Sequence, residues 1–285
     1  MGARGDWQEW RWDESLFAGA AEHYDRGRLP YAPGLAEALA AALDLDGRGR
    51  LLDLGCGPGT VTLRLAALFE SVVGLDPDEG MIREARRLAA ERGVLNAHWV
   101  SARAETLPAD LGSFRVVTLA ASFHWMDRPR VAAAVRDMLE PGGAAVQVDA
   151  PGYRPQPTGD QLPWPAPPLA AIGDLAREFL GPDRRAGRGI RNTSPGDEDA
   201  VFRAAGFAPG ERVTVPDGHI LVRTIDDMVA ETFSMSWTAP HLFGAQTPEF
   251  EQRLRALLAE ASPEARFAVR LPDNILTIWR PVRGG

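Results

Sequence analysis

The stretch LLDLGCGPGT, residues 51–60, sets Gly55, Gly57 and Gly59 at alternate positions between an apolar run and a helical one. Glycine accepts left-handed backbone and lets a ligand lie against the main chain, so this spacing suits a turn that cradles a bound molecule. "RLLDL" before the turn reads as a buried parallel strand, and "TVTLRLAALF" after it puts Val61, Leu65, Leu68 and Phe69 at helical spacing. A turn between strand and helix offers free backbone N–H groups to that molecule. About twenty residues further on, "VVGLDP" closes a second apolar run with Asp76, placed to accept the hydroxyl protons of a ribose.

A dinucleotide would ask for another glycine at Thr60, so that helix and strand pack closely beside a pyrophosphate. The pattern here is D-x-G-x-G-x-G, led by Asp53. An acidic group at that place repels a pyrophosphate and suits a ligand bearing an ammonium group. That points to S-adenosylmethionine (SAM), which carries an amine and a sulfonium. Two alternatives stay open at this stage: an NAD(P)-dependent oxidoreductase, and a SAM-binding regulatory module without transfer activity.

The remaining composition removes whole classes of chemistry. None of the 31 basic residues is a lysine, so a lysine Schiff base, a pyridoxal anchor and a GKS/GKT phosphate loop are excluded. Codon bias in a GC-rich genome accounts for that absence. Cys56 is the single cysteine, which rules out an internal disulfide or a cysteine metal cluster and fits a reducing compartment. His23, His98 and His219 show no metal-ligand spacing, so no metal site is expected. A net charge of −8 argues against a nucleic-acid partner. No run is long enough for a bilayer span, and the first residues are charged and Trp-rich, so the expectation is a cytoplasmic protein with no membrane partner.

Strand and helix signals alternate from about residue 36 to 149, as in a parallel sheet with crossover helices. The expected strands are 50–54, 71–75, 97–100, 114–120 and 144–149. Helices are expected at 36–44, 59–69, 78–92 and 128–139, with Pro141 and Gly142 turning the chain into the fifth strand. A proline-rich crossing follows at 151–168, then a short helix and an arginine-rich loop holding Arg184, Arg185, Arg188 and Arg191. A helix near 198 and a strand at 211–216 rejoin the sheet. Two helices, about 225–236 and 247–261, precede a last strand at 274–281. The expected division is an N-terminal covering segment 1–34, a core 35–150, a Pro/Arg-rich insertion 151–200, and 201–285 completing the sheet with inserted cap helices 225–262.

With these residues in place, the chain resembles the class I SAM-dependent methyltransferases, in the branch called methyltransferase type 11 or UbiE-like. "LLDLGCGPG", "VVGLDPDEGMI", "AETLP", "LAASFHWMD" and "LEPGG" match that family's motifs in order. The resemblance implies an α/β, Rossmann-like seven-stranded sheet, mostly parallel with the last strand antiparallel, helices on both faces and a helical cap. It implies SAM as cofactor and S-adenosylhomocysteine as product. Asp53, Gly55 and Gly57 would then hold the methionine part, Asp76 the ribose and Met81 the adenine face, with Gly59 and Pro77 also at the cofactor. Arg103 stands where the family usually has an acidic residue, so the adenine edge falls to Ala104 or Glu105, with Ala120 and Ala121 at the end of the fourth strand. "AEHYDRGRLPYAP" resembles a segment that folds over the cofactor in relatives, which assigns Tyr24 and Arg28 to one side of the pocket and Arg28 to the methionine carboxylate.

Transfer of a methyl group is an in-line displacement, so the acceptor must be held close to the methyl carbon and stripped of water. His124, just beyond the fourth strand, and His241, in the cap, are the candidate bases, each set against a reading as a wall residue. Trp125, Trp164, Trp237 and Phe243 supply apolar surface for a flat organic acceptor of the kind secondary metabolism makes, or else form the cap's own core. The expected partner is a small-molecule acceptor of an oxygen-, nitrogen- or carbon-directed transfer, on a monomer or homodimer.

Overall fold

The computed structural model describes residues 13, 15–107, 110–152, 162–183, 185–186, 189–190 and 197–282. Helix α1 (Ala21–Gly27) and helix α2 (Leu35–Leu43) precede the core. Strand β1 (Arg50–Leu54) follows, and Leu51, Leu52 and Leu54 are fully buried, because a central parallel strand is covered on both faces. Then come α3 (Thr60–Leu65), β2 (Ser71–Asp76), α4 (Glu79–Glu91), β3 (Ala97–Ser101), β4 (Phe114–Ala120), α5 (Arg128–Met138) and β5 (Leu139–Val148).

The expected strand 144–149 starts five residues early in the structure. Helix α5 runs straight into β5, and Pro141 and Gly142 sit inside the strand, not in a turn before it. The register against β4 shifts between Phe114 and Val116, so the pair accommodates proline as an irregularity.

Beyond the core lie α6 (Leu169–Leu180), the short strands β6 (Arg185–Ala186) and β7 (Gly189–Ile190), α7 (Glu198–Ala204), β8 (Glu211–Val215) and β9 (Ile220–Thr224). Helix α8 (Ile225–Ser234), α9 (Thr247–Ala261), β10 (Arg266–Arg270) and β11 (Asn274–Trp279) complete the chain. The arginines Arg184, Arg188 and Arg191 lie outside the described residues.

The main sheet has seven strands in the order β3-β2-β1-β4-β5-β11-β8. Strand β11 runs antiparallel to both β5 and β8, and the pairs among the first five strands are parallel. On one face, Leu35 and Leu39 of α2 and Val61 and Leu65 of α3 pack on Leu51, Val72 and Val116. On the other, Val131, Val135 and Met138 of α5 and Phe202 of α7 pack on Leu52, Val73 and Val117.

Helices α6, α8 and α9 build a separate apolar cluster, in which Phe233, Phe243, Phe250 and Leu254 are buried. Strands β9 and β10 pair antiparallel beside it, a hairpin-like ribbon absent from the sequence reading. Its strands are short and lie about forty residues apart, beyond the reach of any local turn signal.

Candidate active site

The glycine turn sits at the carboxyl ends of β1 and β2, where crossover connections leave a crevice open. Its glycines meet different constraints. A side chain on Gly59, whose φ is +81°, would meet the Trp99 ring at 2.5 Å, so this position is small in order to pack helix against sheet. A side chain on Gly57 would meet nothing nearer than Tyr24 at 4.0 Å. Gly57 thus leaves room for a ligand against the backbone.

Asp76 closes β2 and is 8% exposed. Its carboxylate accepts the backbone N–H of Gly57 at 2.9 Å and that of Asp78 at 2.9 Å. Burial pushes its pKa up to about 6, although those two N–H groups oppose the shift. Asp78 caps α4, accepting from Gly80 and Met81, and so aims Met81 inward.

Asp76 lines a cavity of about 620 Å³, part of it open to solvent. Gly55, Gly57, Asp76, Pro77 and Met81 form one side, and Arg103, Ala104 and Glu105 another. Ala120, Ala121 and Trp125 close the third, and Tyr24 folds over from α1. Ala121 holds a left-handed backbone, with φ +52°, at the point where β4 turns away from the sheet. Glu105 accepts the backbone N–H of Asp127 at 2.9 Å and pairs with Arg103 at 3.3 Å, which ties the Trp125 loop to the wall beside it.

A second chamber adjoins the first across Tyr24, Gly55, Ala120 and Ala121. Arg28, Tyr31, Cys56 and Thr60 line it. Two donors there are buried without a partner: Nε of Arg28 and the hydroxyl of Thr60. Unmatched buried donors are costly, and an anionic group would satisfy both.

Several expected site residues lie elsewhere. Asp53 is fully buried, and its carboxylate accepts the hydroxyls of Thr62 at 2.6 Å and Thr118 at 2.8 Å, so it braces the turn from behind. Asp53 is absent from the lining of both chambers. Gly59 packs on Trp99, as above. His124 occupies the middle of a 3-10 turn, Phe123–Trp125. Phe123 points into the core, Trp125 reaches the cavity, and the His124 ring lies against Trp125 at 4.6 Å, outside the lining.

In the cap, Nδ1 of His241 is 2.9 Å from the carbonyl of Ala18, which fastens the cap to the N-terminal segment. Phe243 is 4% exposed and stacks on Phe250 at 3.9 Å, in the cap's own core. Trp164 lies under Arg266 at 5.4 Å, and Trp237 borders a different hollow beside α6. None of these four lines the cavity at the glycine turn.

The structure also brings in residues the sequence reading missed. Phe17 reaches the cavity and meets Trp125 edge-on at 6.1 Å, and Ser122 donates to the carbonyl of Leu54 at 2.5 Å from the cavity floor. Phe17 had no signal, since nothing local says where an N-terminal segment will fold back. Thr60, directly after the third glycine, and Ser122, two residues past the end of the fourth strand, stood in legible motifs. Among the described residues no group of three or more His, Cys, Asp or Glu is placed to hold a metal ion, and no helix is long and apolar enough to cross a membrane.

Comparison with known proteins bears on the fold and on the domain that carries the glycine turn. Residues 51–143 match the family model described as a methyltransferase domain. An uncharacterized methyltransferase of Mycobacterium tuberculosis is 37% identical over 134 residues, 47% of this chain and 51% of the relative. Another, from Schizosaccharomyces pombe, is 32% identical over 136 residues, 45% of this chain and 49% of the relative. The matched region thus spans about half the length of these relatives. A solved Bacillus halodurans structure described as a methyltransferase overlays 87% of this chain and 100% of its own, at 18% identity and a TM-score of 0.51, which is a likeness of fold. Residues 51–143 thus match a methyltransferase domain, and the order of the sheet around them is in keeping with that match.

Proposed function

We propose that this chain moves a methyl group from SAM to a small organic acceptor. The observation that carries the reading is the pair of adjoining chambers at the glycine turn, one presenting the Asp76 carboxylate and the other the unmatched donors of Arg28 and Thr60. SAM has the complementary groups: a ribose diol to donate, and an amino-acid carboxylate to accept. Asp76 would hold the ribose, Met81 and Trp125 the adenine, and Arg28 with Thr60 the carboxylate.

When bound, SAM supplies a methyl carbon on a sulfonium, activated for displacement. The chain's own work is then to align the acceptor and exclude water, and Phe17, Tyr24 and Trp125 supply apolar cover for that. No imidazole lines either chamber among the described residues, so the reading assigns alignment and desolvation to the protein, with an acceptor that arrives as a ready nucleophile. The net charge of −8 favours a small molecule over a nucleic acid.

Titration calorimetry with S-adenosylhomocysteine tests the cofactor. Turnover of SAM to S-adenosylhomocysteine with a panel of phenol, amine and enolate acceptors tests the transfer. Binding with no turnover against any acceptor would favour the non-catalytic module, and tight NADH binding in place of S-adenosylhomocysteine would overturn the reading.

A further inference from the structure

Arg28 stands just past the end of α1 and serves two elements at once. Its Nη2 donates to the carbonyl of Ser234, the last residue of α8, at 2.7 Å. Its guanidinium lies over the Tyr24 ring at 4.7 Å, and its Nε is buried without a partner beside the second chamber. The carbonyls of a helix's last turn have no partner within the helix, so Arg28 caps α8 from outside.

The two helices meet closely along their length. A side chain on Gly27 would meet the carbonyl of Ala230 at 2.4 Å, so the backbones are in contact there. Arg223, which is 3% exposed, donates to the carbonyls of Gly27 and Asp227, each at 2.8 Å, and Arg26 pairs with Asp227 at 2.7 Å. Helix α1 carries Tyr24 over the cavity, while α8 leads into the turn at 235–239. Ala239 in that turn packs with Ala20 and Met81, and Met81 is a wall of the cavity.

We propose that Arg28 is a positioning residue that couples cofactor occupancy to the cap. Its Nε takes the carboxylate of the bound cofactor while its Nη2 holds the end of α8, so an occupied chamber orders the turn at 235–239 and sets Ala239 against Met81, the wall of the cofactor cavity. A guanidinium is a planar fork whose donors are fixed relative to one another, so fastening one arm fixes the direction of the other. This rests on the SAM reading above.

Hydrogen–deuterium exchange on the full chain tests the coupling with two probes: S-adenosylhomocysteine, and 5′-methylthioadenosine, which keeps the adenosine and lacks the amino-acid part. Both should slow exchange at 55–60 and 76–82. Only S-adenosylhomocysteine should slow 231–239, by about 5-fold or more. In Arg28→Lys, whose ammonium has no second fixed arm, saturating S-adenosylhomocysteine should protect 55–60 but not 231–239. A staple without coupling would give the same exchange at 231–239 with either probe. Equal slowing by the two probes, retained protection in Arg28→Lys, or protection of 55–60 alone in the unmodified chain each overturns the coupling and leaves the cofactor reading standing. No slowing anywhere with S-adenosylhomocysteine overturns both.

Discussion

The carboxylate of Asp76 accepts the backbone N–H of Gly57 at 2.9 Å, joining the end of the second strand to the turn that follows the first. One bond therefore fixes both the turn and the carboxylate that faces the cavity beside it.

Replacing Asp76 with asparagine should weaken S-adenosylhomocysteine by about 1–3 kcal/mol, the loss of a charge-assisted acceptor in a buried site. The affinity of the unmodified protein should also fall as the pH drops through about 6, where Asp76 takes up a proton. Calorimetry at pH 7.5 and 5.5 checks this, and an unchanged affinity across that range would remove Asp76 from the ribose role.

The same raised pKa works the other way on the ligand-free protein. Burial lifts both Asp53 and Asp76 from 3.8 to about 6, so their contribution to stability is full below the lower value and is lost as the pH rises through the higher one. Thermal unfolding of Asp76→Asn compared with the unmodified protein should show a smaller loss on going from pH 5 to 7. Parallel curves would show that Asp76 titrates at its ordinary value.

Asp53→Ala should cost about 1–3 kcal/mol of stability, because the hydroxyls of Thr62 and Thr118 lose their shared acceptor inside the protein. Cofactor affinity in the folded variant should change little. Denaturant unfolding beside calorimetry separates these effects, and a loss confined to affinity would return Asp53 to the ligand.

Phe243→Ala should destabilise the protein by about 3–5 kcal/mol, since it opens a hole in the cap's aromatic core against Phe250. Trp125→Ala should instead weaken cofactor binding with a smaller loss of stability, because Trp125 lines the cavity. Chemical unfolding and calorimetry on both variants would show the assignment to be wrong if the two effects were exchanged.

His124→Ala should lower kcat by far less than the ~10²–10⁴ that a lost general base costs, because its ring lies against Trp125 outside the cavity lining. The pH–rate profile should keep its acidic limb. Disappearance of that limb in the variant would mean that His124 reaches the acceptor after all.

What the sequence determined by itself was everything written in local periodicity and local spacing. The alternation of apolar strands and amphipathic helices marked β1 to β4 almost to the residue, and the glycine turn with Asp76 marked the crevice, because a strand, its turn and the next helix are neighbours in the chain. The seven-stranded sheet and the reversal of its last strand, β11, were implied by the motifs through resemblance, and the structure bears them out. Which side chains face the ligand was another matter. Asp53 reads as a ligand residue by type, yet its place in the strand turns it toward Thr62 and Thr118. Phe243 reads equally as pocket surface or as the cap's own core, and packing places it in the core. Phe17 and the second strand pair, β9 with β10, had no local signal at all. These outcomes depend on how segments far apart in sequence pack, and burial rewards any apolar partner of the right shape. Only the tertiary structure selects which one is met.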